Sequence, residues 1–169
     1  ADLADPYTLT KLKPGFKSLS FKLPNIHGEE ISINDERYQG KVIIVSILGS
    51  WCPNCLDEME YLSPWYKENK NRGVEIIGLA YERKDDFEYA QGTLSRLKEI
   101  LFAGQVGDKA IAASLPEVDK ISSYPTTIYI DKKGEVRKIH TGFNGPATGL
   151  FYEEFKRDFN TLIDSLLAE

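Results

Sequence analysis

Cysteine is scarce in this chain: 169 residues hold only two, Cys52 and Cys55. A secreted fold stapled by several disulfides is therefore excluded. Histidine is equally scarce. His27 and His140 lie far from the cysteines and from each other in sequence, whereas a zinc site wants four nitrogen or sulfur ligands. No apolar run comes near the roughly 20 residues of a membrane-spanning helix. Positive charge is in deficit, with a net charge of −5, which argues against nucleic acid or an anionic membrane surface as the main partner. The opening residues, Ala1-Asp2-Leu3-Ala4-Asp5-Pro6, include no initiator Met and have neither the basic region nor the apolar core of a signal peptide. The expectation is a processed or excised chain whose targeting segment lies upstream of Ala1. Repeats and low-complexity tracts are absent from the sequence.

What is present suits one ordinary domain with a proper core, since 41% of the residues are hydrophobic. Residues 1–13 read as an irregular lead and 14–169 as the domain. Phe16 to Leu23 alternates loosely and ends at Pro24, Asn25 to Gly28 is a turn, and Glu29 to Ile33 is its return strand. Lys41 to Leu48 and Val74 to Ala80 are β-rich runs of the kind buried on both faces. Between them Leu56, Met59, Leu62 and Tyr66 recur at helical spacing, and Pro64 predicts a break near Leu62–Ser63.

Asp85 and Glu88 look like an N-cap and N3 pair for a helix whose apolar face carries Phe87, Ala90, Leu94, Leu97 and Leu101, with Ile100 to Ala103 as a competing short strand. Ser114-Leu115-Pro116-Glu117 has the form of a capping box opening a short helix through Ile121. Thr126 to Ile130, the turn Asp131 to Gly134 and Val136 to Thr141 form a hairpin. The Gly142 to Gly149 loop offers little to pack. Phe151, Phe155, Phe159, Leu162 and Leu166 line a closing helix. This order predicts an α/β fold: a central sheet, parallel first and antiparallel at the last hairpin, with helices on both faces.

The chemistry concentrates at Trp51-Cys52-Pro53-Asn54-Cys55, between a buried strand and a helix. A thiol at a helix N-terminus meets unpaired backbone N–H groups and the positive end of the macrodipole, so its thiolate is stabilised. Pro53 suits the first helical turn because it has no N–H to leave unpaired. A second thiol one turn later makes a reversible dithiol–disulfide pair. A loop this short gains little from a structural crosslink.

With these residues the chain resembles the thioredoxin superfamily, and more closely its TlpA/ResA-like branch. The resemblance rests on Gly40-Lys41-Val42-Ile43-Ile44-Val45 leading to the cysteine motif, on Gly73 to Gly78, and on Tyr124-Pro125-Thr126-Thr127 with Ile130-Asp131 and Gly134. It implies a thioredoxin-like fold with an extra N-terminal β-hairpin and a central insert at 84–115. It also implies a thiol–disulfide oxidoreductase, acting reductively on disulfide-containing proteins in the periplasm or cell envelope. Such an enzyme needs no metal or organic cofactor; a separate thiol or membrane donor recycles it, and the expected state is a monomer. By position, Cys52 becomes the exposed nucleophile, Cys55 the buried resolving thiol, and Pro125 a cis-proline facing the dithiol. Tyr124 offers backbone groups to a substrate, and Trp51 and Pro53 belong to the substrate surface.

Glu58 matches a buried glutamate beneath the dithiol, with Asp57 and Glu60 expected to raise its pKa. Thioredoxins carry an aspartate where this chain has Ser46, so the proton-handling group must lie elsewhere. Two rival readings remain. A thiol peroxidase of the peroxiredoxin group would place Thr or Ser where Gly49 stands. A copper-binding chaperone of thioredoxin fold would use Cys52, Cys55 and a histidine.

Overall fold

A computed structural model describes residues 5–169; the expectations for Ala1 to Ala4 lie outside it. The elements are β1 (Lys22–Pro24), β2 (Glu30–Ser32), β3 (Val42–Leu48), α1 (Pro53–Asn69), β4 (Val74–Glu82), α2 (Phe87–Thr93), β5 (Glu99–Gln105), α3 (Asp108–Ser114), β6 (Thr126–Ile130), β7 (Val136–Thr141) and α4 (Leu150–Ala168). The main sheet has the order β5-β4-β3-β6-β7, and β1-β2 form a separate hairpin. β3 pairs parallel with β4 and antiparallel with β6. The mixed thioredoxin-like sheet and the extra hairpin are as expected.

β3 is central because nothing in it needs water. All seven of its residues are buried, and they alternate between two cores. Val42, Ile44 and Leu48 face α1 and α4, meeting Met59, Leu62, Trp65, Phe159 and Ile163. Ile43, Val45 and Ile47 face the other side, with Leu79, Tyr81, Ile111, Phe21 and Ile31. Each fully buried aliphatic side chain contributes about 1.5–3 kcal/mol, so this strand anchors both layers. Its C-terminal end delivers the chain to Cys52, the place where open α/β sheets bind ligands.

Several expectations are corrected. α1 does not break at Pro64 but runs to Asn69. Pro64 is exposed and removes only the bond to the Glu60 carbonyl, while Leu62 and Trp65 on either side are held in the core. The helix from Phe87 is shorter than its apolar spacing suggested: it ends at Thr93, a 3-10 turn follows, and Leu101 belongs to β5. Ladder bonds to β4 outweigh the helical pattern there. No helix opens at Ser114; that residue closes α3. Glu117 instead accepts a bond from the Ser20 hydroxyl at 2.5 Å, and its backbone carbonyl accepts from Lys13 N–H. In α4, Ile163 is buried and Phe151 is exposed, a rotation of the expected apolar stripe by less than a third of a turn. The Gly142–Gly149 loop is not empty of packing: Phe143 is buried, edge-on to Phe155 at 4.9 Å. No helix among the described residues is long and apolar enough to cross a membrane.

Candidate active site

The end of β3, the start of α1, the end of β4 and the start of β6 converge on the cysteines. Cys52 is the N-cap of α1 and Pro53 its first residue. The Cys55 N–H donates to the Cys52 sulfur at 3.2 Å. Both cysteines are free thiols. The Cys55 thiol, hydrogen-bonded to the Cys52 sulfur, has the largest influence on Cys52 and brings it from 9.0 to about 7. Burial opposes this, the backbone N–H groups of Cys55 and Asn54 assist, and the charge of Glu58 opposes. Cys55 moves the other way. Burial, first of all, pushes it far above an ordinary thiol, and its hydrogen bond to Cys52 adds to the rise. The two sulfurs thus divide their labour: one is ready as a thiolate, the other is kept protonated.

Cys52 is more enclosed than the expected exposed nucleophile. It is 6% exposed, against 2% for Cys55. Its position as a helix cap turns the sulfur inward, and Trp51 and Tyr124 stand beside it. The Tyr124–Pro125 peptide is cis, and the Tyr124 carbonyl lies 3.6 Å from the Cys52 sulfur, within reach as an acceptor of its S–H. Pro125 is buried, and Pro53 and Asn54 are exposed. Trp51 is half-buried, edge-on to Tyr124 at 5.1 Å, with the Arg83 guanidinium 5.5 Å from its ring. Gly49 is required here, because a Cβ on it would collide with the Trp51 indole.

Glu58 lies on the inner face of α1, wholly enclosed. One oxygen accepts from the Ser46 hydroxyl at 2.5 Å and the other from the Thr127 hydroxyl at 2.6 Å. Burial is what raises its pKa, the two hydroxyls pulling it back. Asp57 and Glu60 are exposed and do not contribute, contrary to expectation. Ser46, noted from the sequence only as a missing aspartate, turns out to hold the carboxyl that replaces it.

The sequence reading missed Thr127, which joins this network from β6, and Glu82, the last residue of β4. Glu82 is fully buried and accepts from Ser50 N–H at 2.7 Å and from the Ser50 hydroxyl at 2.8 Å. An acid closing the apolar run Ile76 to Ala80 and Tyr81 was the available signal. The histidines do not join the thiols. His140, on β7, bonds the Gly142 carbonyl through Nδ1 at 2.9 Å, and no three His, Cys, Asp or Glu side chains among the described residues form a metal-holding group.

A Cys-x-x-Cys pair capping a helix, set against a cis X–Pro bond on the neighbouring strand of a mixed sheet, defines a thioredoxin-fold dithiol protein. The AhpC/TSA family model matches residues 14–139, and the chain belongs to that family. Within it, the chain is related to the thiol–disulfide oxidoreductases. It is similar to the thiol-disulfide oxidoreductase ResA of Halalkalibacterium halodurans, with 32% identity covering 77% of this chain and 69% of the relative. The ResA of Geobacillus kaustophilus is 31% identical, covering 79% and 72%. Among solved structures, a DsbF homologue from Corynebacterium diphtheriae matches with a TM-score of 0.65 at 15% identity, covering 95% of this chain and 98% of that one, a likeness of fold. The enzyme is accordingly a disulfide oxidoreductase.

Proposed function

We propose that the enzyme works in the reductive direction on disulfides of extracytoplasmic proteins, with Cys52 as nucleophile, Cys55 as resolving thiol and Glu58 as the proton acceptor for Cys55. The Cys52 thiolate attacks one sulfur of the substrate disulfide, forming a mixed disulfide and expelling the other sulfur as a thiolate, which takes a proton from water. Cys55 gives its proton to Glu58 and attacks the Cys52 sulfur. The Cys52–substrate bond breaks, the Cys52–Cys55 disulfide forms, and reduced substrate leaves. A separate thiol donor returns the enzyme to the dithiol form. The Tyr124 carbonyl and the Trp51 ring border the approach to Cys52 and are the groups an incoming polypeptide meets.

One observation carries this reading: the Cys52 sulfur caps α1 and accepts the Cys55 N–H at 3.2 Å, with the buried Cys55 thiol one turn behind it. Glu58 fits its role because it is buried on the same helix and its charge acts on both sulfurs. Peroxide reduction is the competing chemistry. The Trp51 indole fills the space in which a Thr or Ser at position 49 would carry its hydroxyl, which favours disulfide exchange.

The test is a pair of variants. Cys52→Ser abolishes insulin reduction, and Cys55→Ser accumulates mixed disulfides, because attack survives and resolution does not. A Cys52→Ser protein reducing insulin at the wild-type rate, or wild type consuming peroxide faster than insulin, contradicts the reading. Equilibration with glutathione fixes the direction: a potential at or below the thioredoxin level of about −270 mV marks a reductase.

A further inference from the structure

Glu82 is a buried carboxylate for which the reaction has no use. Its placement gives it one. The parallel ladder between β3 and β4 ends at Leu48 and Ala80. Beyond it the chain after β3 turns: Cys52 N–H donates to the Gly49 carbonyl at 3.2 Å, so Ser50 and Trp51 are the central residues of a tight turn. Ser50 is buried, and its N–H has run out of backbone partners on β4. β4 itself is re-aimed at this point, since its register with β5 shifts between Ala80 and Tyr81. Such bulges often direct a side chain at a site.

The two residues past the shift both grip the turn. The Tyr81 carbonyl accepts from the Trp51 indole N–H at 2.7 Å, and Glu82 takes both the N–H and the hydroxyl of Ser50. The same turn carries Trp51 against Tyr124 and ends at Cys52. A buried carboxylate is a costly way to satisfy one peptide N–H, and a leucine with a differently routed loop would serve stability as well. Its bidentate, charge-assisted hold instead fixes direction.

We propose that Glu82 is a positioning residue for disulfide exchange: its carboxylate locks the Gly49–Cys52 turn, and through that turn it sets the Trp51 ring beside Tyr124 at the mouth over the Cys52 sulfur. This rests on Cys52 being the nucleophile, but its spectroscopic readout does not.

The experiment isolates Trp51 emission in a Trp65→Phe background and measures insulin reduction in parallel. Glu82→Ala shifts Trp51 emission to the red and lowers kcat/KM about tenfold, whereas Glu82→Gln, which keeps an acceptor for Ser50 N–H, stays within about threefold of wild type. Combining Glu82→Ala with Trp51→Ala costs no more than about twofold beyond Trp51→Ala alone, because both remove one interaction. Should Glu82→Ala fail to fold, Ser50→Ala removes only the hydroxyl half of the clamp and gives the same red shift with a loss of about threefold. Unchanged emission and rate in the Glu82→Ala or Ser50→Ala protein, or losses that add in the double variant, overturn the proposal. A Cys52→Ser protein that is inactive but keeps wild-type Trp51 emission separates failure of the chemistry from failure of the clamp.

Discussion

Glu58 shows how one residue ties stability to chemistry. Burial raises its pKa above the 4.5 of a free side chain. The folded state therefore binds the proton more tightly than the unfolded chain, and the stability linked to Glu58 is full below the unfolded value and is lost as pH rises through the folded one. Glu58→Gln removes that linkage. Relative to wild type, the urea midpoint of the variant is expected to improve as the pH rises above the free value of 4.5, and a relative midpoint that falls on that rise contradicts a raised Glu58. The same variant keeps formation of the mixed disulfide nearly intact and slows its resolution by about a hundredfold, read by quenched-flow trapping of the intermediate. Both expectations follow from a carboxyl whose only compensation is the pair of hydroxyls on Ser46 and Thr127. The resemblance to the thioredoxin superfamily assigned Cys52, Cys55, Glu58, Tyr124 and Pro125 to one site by their positions. It left out Thr127 and Glu82, whose roles depend on which strand end faces which loop, and that is decided by sheet order rather than by local spacing.

At the scale of elements, the strands were legible and the middle helices were not. β3, β4 and β6 announce themselves through β-rich runs of the kind a buried sheet accepts, and β7 follows β6 across the short turn Asp131 to Gly134. The segment from Phe87 to Ser114 carries apolar residues that fit two periods at once, and only the ladder of Ile100 and Leu101 against Gly78 and Leu79 resolves it. Glu117 misled for a related reason: an acid three residues after a serine reads as a cap, but this one reaches across to Ser20. Pro64 is the instructive case, because the rule that predicted a break is sound and was overridden. An interior proline costs a helix about 3 kcal/mol relative to alanine, yet α1 is held by Met59, Leu62 and Trp65 in the core on both sides of it. The cost has been absorbed, not removed. Pro64→Ala restores the N–H that the Glu60 carbonyl lacks and loosens the unfolded chain slightly, for a net gain of about 1–2 kcal/mol. Chemical denaturation measures it, and an unchanged or lower midpoint means the proline fits this helix without strain.

On the scale of the whole molecule, residues between Pro6 and Asn25 close both open edges of the sheet. β5 is one edge, and Asn25 bridges to Leu101 there while its amide reaches Glu99 at 3.0 Å. β7 is the other, and it is tied at both ends: Val136 N–H donates to the Lys17 carbonyl at 2.8 Å and Thr141 N–H to the Pro6 carbonyl at 2.9 Å. Exposed edges invite pairing with other chains, so the irregular lead and the β1–β2 hairpin serve the fold by covering them. The stretch from Asp5 to Lys13 is irregular in backbone but not detached. Lys13 N–H donates to the Glu117 carbonyl at 2.7 Å, Asp119 N–H to the Lys11 carbonyl at 3.0 Å, and Tyr7 stands edge-on to His140 at 4.9 Å. Cutting the chain before Pro14 removes these bonds together, and at about 0.5–1.5 kcal/mol each it costs about 2–4 kcal/mol of stability. His140 supplies a second readout. Burial holds its pKa below 6.5, so losing the Tyr7 ring over it moves its titration upward toward the free value, as followed by NMR of the imidazole. The loss of Asp5, whose charge raises His140, works weakly against this, because burial is the larger influence. A truncated chain with unaltered stability and an unmoved His140 would show that the lead lies on the domain without holding it.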